Sequence, residues 1–212
     1  MNLWNLLFVS RCKLCDSVCG KGSVCDECDA KLKEKVFVSR RDVTVNGKNI
    51  RASYVFDYDD ELVKKLLFAL KRRADKDLFR YASRLYEIAL PPDFAGVVTN
   101  VPRSKINVRD YGYDHVKEPC KILCNHDRQN RKYLKVVRRK GSSEDQKYLS
   151  CKERAENVKN KFAATKKDIT SDILLIDDVV TTASTVTCCA EEMMKHNPDA
   201  TLYMAFLASG SI

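Results

Sequence analysis

Leu62, Val63, Leu66, Leu67 and Leu70 recur at helical spacing, with Lys64, Lys65, Lys71 and Arg72 largely off that face. Asp59 or Asp60 stands where an N-cap is needed. A second helix is predicted over about Asp75 to Ala89, ended by Pro91-Pro92. Upstream, Asp29 to Lys35 reads as a short helix. Val36 to Val45 and Lys48 to Tyr58 read as strands joined at Asn46-Gly47, a two-residue hairpin turn.

Beyond Pro92 the pattern alternates. Ala95 to Val101 is a short apolar strand, Tyr113 to Asn125 a helix, and Tyr133 to Arg138 a strand. A long polar stretch then runs to about Asn160. Asp172 to Ile176 is almost continuously apolar, as expected of a strand buried on both faces. Ser184 to His196 is a helix stopped by Asn197-Pro198, and Thr201 to Ala208 is a last strand. Strands and helices in alternation predict an α/β fold, a mostly parallel sheet with helices on both faces. There is no internal repeat.

Composition narrows the class. Hydrophobic residues make up 44% of the 212, enough for a core, and seven Gly and five Pro leave little for flexible linkers. No run reaches the roughly 18 apolar residues of a membrane helix. The apolar opening from Met1 to Val9 is short and lacks a basic leader or cleavage site, so the expectation is a cytoplasmic protein without membrane insertion. A formal charge of +9 favours anionic partners: phosphorylated small molecules, nucleic acid or a membrane surface.

Five of the ten cysteines fall between Cys12 and Cys28. Cys12-Lys13-Leu14-Cys15 and Cys25-Asp26-Glu27-Cys28 are two Cys-x-x-Cys knuckles, nine residues apart. Each can turn two thiolates to one point, and together Cys12, Cys15, Cys25 and Cys28 supply the tetrahedral shell that Zn²⁺ prefers. Four thiolates leave no open position, so the expected zinc is structural. Cys19 is a fifth candidate that competes for a ligand place. The expected organisation is a zinc-binding module over 1–35 and an α/β domain over 36–212. Cys120, Cys124, Cys151, Cys188 and Cys189 read as small buried hydrophobes.

The segment from Ile173 to Thr185 carries the most chemistry. A buried strand delivers Asp177 and Asp178 at its carboxyl end, where open α/β sheets bind ligands. Thr181, Thr182, Ala183, Ser184 and Thr185 then lead into a helix, whose first N–H groups and hydroxyls make a cradle for a dianionic phosphate. The carboxylates are placed to accept hydrogen bonds from vicinal ribose hydroxyls. A ribose 5-phosphate carries both groups. Phosphatases need Asp-x-Asp, whereas these acids are adjacent, and no glycine-rich triphosphate or dinucleotide fingerprint occurs.

The segment resembles the phosphoribosyl-pyrophosphate (PRPP) motif of type I phosphoribosyltransferases, Asp-Asp-hydrophobic-hydrophobic-Thr-Thr-Gly-x-Thr. The whole chain resembles more narrowly the ComF family, associated with DNA uptake in natural competence. That family joins a four-cysteine zinc module to a phosphoribosyltransferase domain. The similarity is carried further by Asp60 to Asp75, with its Leu70-Lys71-Arg72-Arg73-Ala74-Asp75, by Val101-Pro102 followed by Gly112-Tyr113-Asp114-His115, and by the series Gln146, Leu149, Ser150, Arg154, Asn157, Phe162. The chain departs from the pattern at Ala183, where Gly is usual, and at Tyr111, where Arg is usual, with Arg109 nearby as a substitute. Both departures favour ligand binding over efficient turnover, since the Ala183 Cβ crowds backbone that must approach the phosphate.

The resemblance implies Mg²⁺-assisted transfer of phosphoribosyl from PRPP to a nitrogen acceptor. Asp177 and Asp178 would hold the ribose, and Thr181 to Thr185 the 5-phosphate. Arg103, Lys105 and Arg109 would meet the pyrophosphate. The stretch from Lys140 to Asn160, with Gln146, Arg154 and Asn157, would form a hood. No residue stands out as a general base, and the acceptor is not named. A second reading is a non-catalytic sensor of PRPP or a nucleotide, acting on single-stranded DNA or DNA-uptake proteins. Arg128 to Lys140, with seven Lys or Arg around Tyr133, suits phosphate contact with base stacking, or equally a solvated strand edge.

Overall fold

The computed structural model describes residues 10–20, 22–125, 130–140, 161–180 and 184–210. The predicted hairpin is present as β3 (Ser39–Val45) and β4 (Lys48–Asp57). Asn46 and Gly47 turn it with φ of 50° and 76°, both in the left-handed region that such a tight turn requires. β1 (Ser10–Arg11) and β2 (Val18–Cys19) pair antiparallel ahead of it.

The main sheet has six strands in the order β3-β4-β10-β9-β5-β6. Its other members are β5 (Val97–Asn100), β6 (Lys132–Tyr133), β9 (Ile173–Val180) and β10 (Leu202–Ser209). Only β3 and β4 run antiparallel; every other pairing is parallel. Gly96 leads into β5 against Asp172. A Cβ at Gly96 would sit inside contact distance of the Asp172 carbonyl oxygen, on backbone with φ 156°.

Two cores lie on the sheet. One gathers Leu174 and Ile176 of β9 with helices α2 (Glu61–Arg72), α3 (Lys76–Ala89) and α5 (Lys117–Asn125). The other gathers Ile173 and Leu175 with helix α6 (Ser184–His196) and Tyr54 and Phe206. The alternation of β9 side chains therefore feeds both layers. Asp60 caps α2 by accepting from the Leu62 and Val63 amides, and Asp75 caps α3 by accepting from Asp77 and Leu78. Helix α1 (Asp26–Glu34) starts three residues earlier than predicted, with Cys25 at its N-cap.

Four differences from the sequence expectation bear on function. The helix predicted over Tyr113 to Asn125 starts at Lys117, because the Asp114 carboxylate accepts from the Val116 and Lys117 amides and fixes its beginning. A short helix, α4 (Lys105–Tyr111), fills a stretch to which the sequence assigned no element. The strand predicted over Tyr133 to Arg138 is split. β6 ends the main sheet, while β7 (Val137–Arg139) turns away to pair antiparallel with β8 (Phe162–Ala164). Finally, β9 runs four residues past Ile176 and takes both acids into the strand, since β10 supports it as far as Val180.

Candidate functional site

The cysteine expectation is met geometrically. The Sγ atoms of Cys12, Cys15, Cys25 and Cys28 all lie within 4.8 Å of one another. Cys15 and Cys25 are 3.6 Å apart, close to the roughly 3.8 Å separation of thiolates in a tetrahedron with Zn–S bonds of about 2.3 Å. The amides of Leu14 and Cys25 each donate to Cys12 Sγ at 3.4 Å, which favours a thiolate there. The group fits a metal ion such as zinc. Cys19 is outside it; burial, reinforced by the neighbouring cysteines, pushes its thiol up to about 11. Cys12, Cys28 and Leu14 are part of the larger core, so the knuckles pack on α2 and α3 rather than standing apart.

Of the other cysteines, Cys120 and Cys189 are buried and Cys124 and Cys188 half-buried, as a hydrophobe reading requires. Cys151 lies outside the described residues.

Asp177 and Asp178 sit near the carboxyl end of β9, but consecutive strand residues face opposite sides. Asp178 is buried. Its Oδ2 lies 2.8 Å from His115 Nε2 and 2.8 Å from Lys71 Nζ, and its Oδ1 accepts from the Val179 amide. Burial pushes this carboxyl up, but the His115 hydrogen bond and the His115 and Lys71 charges more than reverse it, holding Asp178 below the ordinary carboxylate range. Asp177 accepts from the Asp178 amide, and its carbonyl accepts from the Tyr86 hydroxyl. Burial, and then repulsion from Asp178, drives Asp177 well above the ordinary range. The adjacent acids thus differ in charge: environment keeps one ionised and favours the proton on the other.

His115 and Lys71 are the residues that sequence reasoning missed. His115 was visible within Gly112-Tyr113-Asp114-His115, and Lys71 within Leu70-Lys71-Arg72-Arg73-Ala74-Asp75 and as a charge off the apolar face of α2, but neither was given a role. Nothing local indicated that 63 residues separate His115 from the carboxylate it meets. His115 is 3% exposed, and its Nδ1 is buried with no hydrogen-bond partner among the described residues.

One strand over, β5 ends at Asn100, opposite Ile176 of β9. Asn100 is buried, donates to Asp114 and accepts from the Tyr133 hydroxyl at 2.8 Å. Beside it opens a cleft of about 400 Å³ whose lining includes Arg103 and Arg109. These two residues, which the sequence offered for pyrophosphate, are therefore brought together. Arg103 stacks over the Tyr111 ring at 5.9 Å, and its Nη1 is buried with no hydrogen-bond partner among the described residues. The side chain of Lys105, together with Thr181, Thr182, Ala183, Gln146, Arg154 and Asn157, lies outside the described residues. Ser184 and Thr185 open α6 as expected.

Tyr133 is half-buried and lines the same cleft. Its hydroxyl turns inward to Asn100, and neighbouring Arg131 is buried in a two-hydrogen-bond pair with Glu87. A second set of aromatic and basic groups centres on Arg72. Arg72 stands over both Phe68 and Tyr111, at 5.3 and 5.4 Å, and Phe68 is 60% exposed.

Comparison with protein-family models gives no match, and comparison with curated proteins gives none either. The described residues establish an α/β protein with a mostly parallel six-stranded sheet and a four-cysteine cluster. No helix among them is long and apolar enough to cross a membrane.

Proposed function

We propose that this chain is a ComF-like protein with a type I phosphoribosyltransferase fold, binding PRPP or a related ribose 5-phosphate with Mg²⁺ in the cytoplasm. The observation that carries the reading is a juxtaposition. The acid pair of β9 and the arginine-lined cleft of β5 lie at the carboxyl ends of adjacent parallel strands, the edge where such sheets bind ligands. Asp178, kept ionised, attracts Mg²⁺ or ribose hydroxyls once Lys71 yields its place. Arg103 and Arg109 meet the pyrophosphate, and the start of α6 at Ser184 and Thr185 contributes to the 5-phosphate cradle. Mg²⁺ would offset pyrophosphate charge. In transfer, a nitrogen acceptor bonds to C1 as the C1–O bond to pyrophosphate breaks and pyrophosphate leaves with the electron pair.

The test is thermal stabilisation of the full chain by millimolar PRPP with Mg²⁺. The expected shift of several degrees is lost in Asp178→Asn. No shift in the parent protein would sink the reading.

A second reading, a non-catalytic accessory of DNA uptake, is favoured by the surface of Phe68, Arg72, Tyr111 and Arg103. Alternating aromatic and guanidinium groups suit stacked bases and backbone phosphates. In this case an oligonucleotide binds with affinity that falls steeply with salt, and Phe68→Ala weakens it without altering the salt slope. Equal binding by Phe68→Ala would remove the stacking role.

A further inference from the structure

The cleft at the end of β5 holds more than pyrophosphate chemistry needs. Pro102, Val108, Val137 and the Tyr133 ring supply apolar lining. A bare pyrophosphate gains nothing from such surface. The rest of the lining includes two further cations, Lys117 and Lys135, and neither has an acidic partner among the described residues. The acid that shares the cleft, Asp114, is committed: Oδ1 fixes the start of α5, and Oδ2 accepts from Asn100. The volume falls within the range of small-molecule sites, which combine apolar walls with a few placed charges.

We propose that this cleft takes a flat heterocycle bearing a carboxylate, and that such a ring is the nitrogen acceptor. This rests on the PRPP reading above. The apolar lining accommodates the ring face, and Lys117 and Lys135 meet the carboxylate. Arg103 and Arg109 remain for the pyrophosphate. A neutral base would cover the apolar surface but leave both lysines uncompensated, so the charge pattern selects an acid over its amide. The ring nitrogen contributes its lone pair to C1 as pyrophosphate departs. A proton on that nitrogen is released to solvent, and a pyridine-type nitrogen with none becomes cationic.

The experiment uses the full chain with Mg²⁺ and matched rings: pyridine-3-carboxylate against pyridine-3-carboxamide, and 6-carboxyuracil against uracil. Binding is read by calorimetry at saturating PRPP, and transfer by pyrophosphate release. The acids are expected to bind about tenfold or more tightly than their neutral partners, as one charge-assisted contact implies. The double variant Lys117→Ala with Lys135→Ala is expected to erase that preference while keeping the PRPP thermal shift. A PRPP shift with no acid preference, or a preference that survives the double variant, overturns this proposal alone. Absence of any PRPP shift overturns the PRPP reading and with it the acceptor role.

Discussion

Asp177 and Asp178 are neighbours with opposite electrostatic situations, and pH separates them. Asp178 is depressed, so its contribution to stability is present above the ordinary carboxyl value near 4 and is lost as pH falls through its lower folded value. Asp178→Asn removes the negative charge that Lys71 and His115 share and is expected to cost about 2 kcal/mol near neutrality, a deficit that shrinks below about pH 4. Asp177 is raised, so its contribution is fully present below about pH 4 and is lost as pH rises toward its folded value. Asp177→Asn cannot ionise and should gain on the parent by up to about 1.4 kcal/mol per pH unit over that window. Denaturant unfolding at pH 5, 6.5 and 8 checks both, and parallel curves for the parent and Asp177→Asn would refute the assignment. Gly96 makes a separate claim. Gly96→Ala forces a Cβ against Asp172 and should destabilise by about 2 kcal/mol, measured in the same way.

At the scale of elements, the cysteine knuckles hold the helices that carry the site. Ser23 Oγ donates to Asp75, the cap of α3, at 2.5 Å, and Lys13 lies 3.8 Å from the same carboxylate. Lys35 reaches Asp60, the cap of α2, at 2.5 Å. Both helix caps are thus shared with the cysteine segment. Asp75→Ala should cost about 1 kcal/mol for the cap and more for the lost Ser23 tie. The parent protein and Cys19→Ser are each expected to carry one equivalent of zinc by elemental analysis, whereas Cys12→Ser and Cys28→Ser fall well below one. Undiminished zinc in Cys12→Ser would displace it from the ligand set. The Asp60 cap was legible as one of two candidates, Asp59 or Asp60, since Asp before a helical run is a local signal, whereas Asp75 read only as the start of its helix. The partners Ser23 and Lys35 were not legible, because a hydrogen bond across 52 or 25 residues leaves no mark on spacing.

For the whole molecule these contacts form a connected line. The cysteine segment holds Asp60 and Asp75, α2 carries Lys71 at its far end, and Lys71 meets Asp178. Removing the metal with a chelator is therefore expected to lower the midpoint of thermal unfolding and to weaken PRPP stabilisation together. By linkage, PRPP should tighten metal binding. Metal removal that leaves the PRPP shift unchanged would uncouple the two sites.

The local signals in the chain were sufficient for the hairpin at Asn46-Gly47, the helices after Asp60 and Asp75, the buried run of β9 and the clustering of Cys12, Cys15, Cys25 and Cys28. Each depends on period, turn chemistry or short spacing, and these are properties of neighbouring residues. Tertiary structure alone decided that β9 continues through both acids, because β10 extends its ladder to Ser209. It likewise split the segment after Lys132 between two sheets. It also placed His115 and Lys71 on Asp178 and gathered Arg103, Lys117 and Lys135 around one apolar cleft. Those arrangements depend on which buried groups find partners across the fold, and a one-dimensional pattern does not encode that pairing.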